Sequence, residues 1–105
     1  MKNFEKEIIV ELLGNSKSEL IPLLEKEFNE AIEYTGVGYF LTIKHADFPV
    51  QHSILTDPNI SGDLGGVSVG YLVILLNSEL TLECHSYGDE VLPEHRDLGF
   101  ARKKT

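Results

Sequence analysis

The chain has 105 residues, 42% of them apolar and 25% charged, a composition that fits one folded domain and excludes a disordered or low-complexity protein. Its longest apolar run, Tyr71 to Leu76, falls far short of the ~20 residues of a membrane helix, and Met1-Lys2-Asn3-Phe4-Glu5 lacks a signal-peptide core, so a cytoplasmic protein is expected. The net charge is −8, and between Lys44 and Arg96 there is no Lys or Arg at all, a field that repels phosphate backbones and anionic lipid.

Phe4, Ile8 and Leu12, with Ile9 and Leu13, recur at helical spacing before Gly14-Asn15, which predicts a first helix over about 3–13. Ser16-Lys17-Ser18-Glu19 offers an N-cap hydroxyl and a capping-box Glu, and Leu20, Leu24, Phe28, Ala31 and Ile32 continue an apolar face toward Gly36. A second helix over about 18–34 is predicted, with Pro22 in its first turn, where a missing amide hydrogen costs little. The period then changes from 3.6 to 2: Val37, Tyr39, Leu41 and Ile43 alternate with Gly38, Phe40, Thr42 and Lys44 as in a strand. Residues 50–55 read as a weaker strand, and Thr56 to Gly66, with Asp57-Pro58-Asn59 and Ser61-Gly62-Asp63, as a long turn-rich loop open to function.

Val67 to Leu76 and Leu80 to Tyr87 read as a hairpin turning at Asn77-Ser78. A two-residue turn pairs Leu75 with Leu80, Val73 with Leu82 and Tyr71 with Cys84, an apolar face that makes Cys84 a core residue. The opposite face pairs Leu76 with Glu79, Ile74 with Thr81, Leu72 with Glu83 and Gly70 with His85. Leu98 to Lys104 supplies a last strand, basic at its exposed end. The whole predicts an α+β fold: one domain over 1–105, with two N-terminal helices packed on an antiparallel sheet of four to five strands.

His45, His52, Cys84, His85 and His95 are the soft ligands, and neither a helical His pair nor a paired Cys motif is present, so no metal site is expected. Cys84 and His85 point to opposite faces of one strand and cannot act as nucleophile and base. Glu94-His95-Arg96-Asp97 reads as a solvated loop. Gly62, Gly65 and Gly66 lack the Gly-Lys-Ser/Thr ending of a phosphate loop. Neither a catalytic residue nor a cofactor is therefore expected, and the chemistry left is that of a surface. Leu72 and Ile74, with Leu76 and Phe40, rimmed by Glu79, Glu83 and Lys44, have the apolar centre and polar rim of a protein interface. A sheet covered by one helix on each face accounts for the same residues equally well. Asp89-Glu90-Val91-Leu92-Pro93-Glu94 is the second candidate, because carboxylates on an irregular loop meet Lys and Arg of a partner.

The hairpin from Val67 through Asn77-Ser78, the strand Leu80-Thr81-Leu82-Glu83-Cys84-His85-Ser86-Tyr87 and the following Gly88-Asp89-Glu90 and Leu92-Pro93 resemble the C-terminal half of small bacterial immunity proteins. Those are encoded beside the toxins of contact-dependent growth inhibition and other polymorphic toxin systems. The resemblance covers roughly a third of the chain, as a pattern and not as a diagnostic motif. It implies an inhibitor that is not an enzyme and that occludes the basic active site of a cognate toxin domain, a nuclease in many such systems, in a 1:1 complex. Asp57, Asp63, Glu79, Glu83, Asp89, Glu90 and Glu94 would then meet the toxin's Lys and Arg, and Leu72 and Ile74 would anchor it. A small ligand-binding or homo-oligomeric cytosolic module remains the alternative.

Overall fold

A computed structural model describes residues 1–14 and 16–103. Helix α1 spans Asn3–Leu13, the range its 3.6-residue period predicts, and buries Ile8, Ile9, Leu12 and Leu13. The same stripe carries Glu5, whose Oε1 accepts the Lys2 amide at 2.8 Å and so satisfies one of the free amides of the helix start. Burial of each such aliphatic side chain is worth about 1.5–3 kcal/mol.

The predicted second helix does not form. Ser18–Glu25 is a 3-10 segment entered from Lys17 without a side-chain cap, and 31–34 belong to a strand, β1 (Ala31–Tyr34). Pro22 lies inside the 3-10 segment, has no amide hydrogen to give, and biases Ile21 away from the α region. The apolar positions up to Phe28 still serve the core: Leu20 and Leu24 are buried, and the Phe28 ring stacks on Phe48 at 6.0 Å. Beyond them, Ile32 and Tyr34 also fit a period of two, and Gly36, at φ +90°, turns the chain back so that β1 pairs antiparallel with β2 (Gly38–Lys44). In β2, Tyr39, Leu41 and Ile43 are buried as alternation requires, whereas Val37 lies in the turn and is exposed.

The weak strand and the long loop are one element, β3 (Ser53–Leu64). Its pairing with β4 (Val67–Leu76) shifts between Leu55 and Ile60, where Asp57-Pro58-Asn59 sits, and resumes through Leu64. Ile60 and Leu64 are buried on the core side with Gly62 between them. Gly62 is a packing requirement and not a turn signal, since a Cβ there would meet the Phe100 carbonyl at 2.4 Å and the Tyr71 ring at 2.9 Å. The turn itself is Gly65-Gly66, both at positive φ.

β4 and β5 (Glu79–Ser86) pair with every partner the two-residue turn predicts, from Leu76 with Glu79 to Gly70 with His85. Asn77 and Ser78 have φ of +53° and +62°, the type I′ arrangement. A second 3-10 segment, Pro93–Leu98, leads into β6 (Gly99–Lys103) on the outer side of β3. The strand order is β1-β2-β5-β4-β3-β6, with β2 beside β5 in a Greek key. The described residues thus form an α+β fold with one α-helix and six antiparallel strands, in place of two helices and four to five strands.

The core lies on one side of the sheet, between it and α1 with the first 3-10 segment. No second helix covers the other side among the described residues, which removes the doubly buried arrangement. No helix there is long and apolar enough to cross a membrane.

Candidate functional site

Strand alternation places Phe40, Thr42 and Lys44 of β2, Glu79, Thr81, Glu83 and His85 of β5, and Leu72, Ile74 and Leu76 of β4 on the uncovered side. Ile54 of β3 joins them by pairing with Ile74. Cross-strand rows fix the neighbours: Phe40, Glu83 and Leu72 in one, and Thr42, Thr81, Ile74 and Ile54 in the next. Thr42 and Thr81 share a hydroxyl hydrogen bond of 3.0 Å, and Lys44 lies 3.4 Å from Glu79 at the end of the face. Ile54 is 54% exposed and Leu76 41%, so an aliphatic band runs in water across β3 and β4.

At the other end His85 Nδ1 stands 3.3 Å from Glu83 Oε2, within ion-pair distance yet without hydrogen-bond alignment. The His85 ring meets Tyr87 edge to face at 5.8 Å, and Tyr87 is 65% exposed. Both lean over Gly70, where a Cβ would sit 2.7 Å from the Tyr87 hydroxyl and 2.9 Å from His85 Nε2. Gly70 is therefore the residue that lets this aromatic pair pack down against the sheet.

The nine predicted partner-binding residues do not form one site. Leu72, Ile74, Glu79 and Glu83 share the face. Asp63 follows on the same side of β3 by alternation, its Oδ1 accepting the Gly66 amide at 2.7 Å. Asp57 is exposed in the irregular stretch across from Leu72. Asp89 and Glu90 are exposed on the loop leaving β5, which is tied down by Ser86 Oγ donating to the Asp89 carbonyl and by the Val91 amide donating to Gly36 O at 2.8 Å. That loop stands at the His85 end of the face. Glu94 is exposed on the 3-10 segment that reaches α1 on the core side, away from the band.

The Glu94-His95-Arg96-Asp97 stretch is not the solvated loop its composition suggests. Arg96 enters the core side and holds buried Glu5 through Nε and a terminal nitrogen, each at 2.7 Å, while Tyr39 Oη donates to the same carboxylate at 2.6 Å. Asp97 pairs with Lys2, and His95 Nδ1 accepts the Leu92 amide. The missed signal was Glu5 itself, a carboxylate in step with Ile8, Ile9 and Leu12 on an apolar stripe, which calls for a buried cation.

Cys84 is 2% exposed, and burial pushes its thiol up to about 12. Such a thiol has little thiolate character at neutral pH. No group of three or more His, Cys, Asp or Glu side chains close enough to hold a metal occurs among the described residues. What the uncovered side presents is an open sheet face in which Phe40, Leu72, Ile74, Leu76 and Ile54 lie among Glu79, Glu83 and Lys44. No family model, curated protein or solved structure matches the chain.

Proposed function

We propose that the chain is a binding protein which covers a basic surface of another protein with the uncovered face of its sheet, and that it serves as an immunity protein, holding a cognate toxin domain inactive in the cytoplasm. The observation that carries this reading is the one-sided sheet. An antiparallel sheet with a solvated side ordinarily turns polar residues to it, yet here Phe40, Leu72, Ile74, Leu76 and Ile54 occupy that side among Glu79 and Glu83. An apolar centre with an acidic rim is the make-up of an interface, and the charge of −8 steers a cationic partner toward it. The resemblance of the hairpin and its acidic loop to immunity proteins supplies the partner class, a nuclease-type toxin with a basic cleft. Blocking needs occlusion only, so no catalytic residue and no cofactor enter the mechanism.

The test is co-purification with the toxin domain encoded by the adjacent reading frame, followed by an activity assay of the complex. A 1:1 complex without toxin activity is expected. Absence of binding overturns the immunity reading and leaves a ligand-binding or self-associating module, which light scattering separates.

A further inference from the structure

We infer that Glu83 is the receptor for an arginine side chain of the partner, a specificity contact at the centre of the uncovered face; this deepens the reading above and rests on that face being an interface. Glu5 is paired with Arg96, Glu79 with Lys44, Glu25 with Lys6 and Asp97 with Lys2. Among the described residues Glu83 has only His85 within ion-pair distance. It also differs from the exposed carboxylates in being largely covered, its side chain 27% exposed, with Phe40 across from it on β2 and Leu72 on β4. A carboxylate set among apolar groups has given up part of its hydration and gains most from a cation that closes the remaining opening.

The surroundings select the kind of cation. A guanidinium is planar, weakly hydrated and able to take both carboxylate oxygens, and it stacks on rings, which Phe40, His85 and the adjoining Tyr87 provide. An ammonium is a compact, strongly hydrated charge that stacks on rings less often and has no planar fork to match both carboxylate oxygens. The aliphatic band of Leu72, Ile74 and Ile54 then takes apolar residues beside the arginine, as an anchor beside a charged contact does. A second copy of the chain carries no arginine on this face, since Lys44 is its one cation among the strand residues named above.

The probes are two peptides, acetyl-Leu-Arg-Ile-amide and acetyl-Leu-Lys-Ile-amide, titrated into the folded protein by proton–nitrogen correlation NMR. The arginine peptide is expected to move the amides of Phe40, Leu72, Glu83 and His85 and to bind several-fold more tightly than the lysine peptide. Glu83→Gln should weaken it about tenfold and Glu83→Asp by less, while Glu94→Gln stays within about twofold. An unchanged spectrum elsewhere verifies the fold of each variant. Equal affinity for both peptides, shifts centred on Asp89 and Glu90, or an unaffected Glu83→Gln overturns the arginine site. If the arginine peptide binds as expected and no toxin domain is captured, the site stands and the immunity reading falls. If Glu83→Gln captures the toxin with undiminished affinity, the reverse holds.

Discussion

Glu5 is fully buried and receives three side-chain hydrogen bonds, from Tyr39 and two nitrogens of Arg96, besides the Lys2 amide. A buried pair is costly to break, because the survivor is left charged in a low dielectric. Arg96→Met is therefore expected to cost about 3–5 kcal/mol in urea unfolding, and Glu5→Leu combined with it to cost clearly less than the sum of the single changes. Cys84, Tyr39 and Tyr71 set the alkaline limit. Burial pushes the Cys84 thiol up to about 12 from 9.0 and raises both phenols, Tyr39 also through Glu5. The unfolded chain releases these protons first, so stability is unaffected by them below about pH 8 and falls as pH rises, by up to about 1.4 kcal/mol per pH unit for each group. Urea midpoints between pH 7 and 11 check this, and Cys84→Ala should delay the onset. Thiol alkylation of the native protein should be slow until it unfolds.

At the level of elements, what could be read from the sequence was what period and turn chemistry decide together. The β4–β5 hairpin was legible in full register because Asn77-Ser78 admits a single pairing that puts Leu75, Val73 and Tyr71 on one side. The second helix was not, because Ile32 fits both periods, with Phe28 in a helix or with Tyr34 in a strand, and pairing with β2 decides between them. β3 was hidden because its interruption uses Asp, Pro and Asn, while Gly62 answers to a close approach that no local pattern records. The face inherited the same limits: Leu72, Ile74, Glu79 and Glu83 were found on the hairpin, and Ile54, on the obscured strand, was missed. The turn itself carries a strain that can be relieved. Ser78 sits at φ +62°, so Ser78→Gly is expected to raise stability by about 0.5–1 kcal/mol in thermal unfolding. Two glycines differ in what an added methyl meets. At Gly38 it strikes the Cys84 carbonyl at 1.8 Å, and at Gly70 the movable tips of Tyr87 and His85, so Gly38→Ala should cost about 3 kcal/mol or more and Gly70→Ala about 1.

For the molecule as a whole, one side of the sheet holds the fold together and the other is free to change. Ile54→Ser and Leu76→Ser, both at exposed positions, should alter stability by no more than about 0.5 kcal/mol while weakening partner capture, a separation that unfolding and pull-down experiments on the same variants would reveal. Association should slow as salt rises, since the Debye length shrinks from about 10 Å at 0.1 M to about 3 Å at 1 M. The division between the two sides depends on the segment that carries the chain from β2 across to β3. Val50 and Pro49 accept the amides of Asn77 and Ser78 at 2.9 and 3.0 Å, and Ser78 in turn accepts the His45 amide at 3.1 Å. These three bonds tie the hairpin tip to the end of β2 and to the segment that follows it. A slip of β2 by a single residue against β5 would turn Tyr39, Leu41 and Ile43 outward and would break the His45 bond to the hairpin tip. The belt around the hairpin tip thus favours the one register in which the acidic and aliphatic side of the sheet points away from the core.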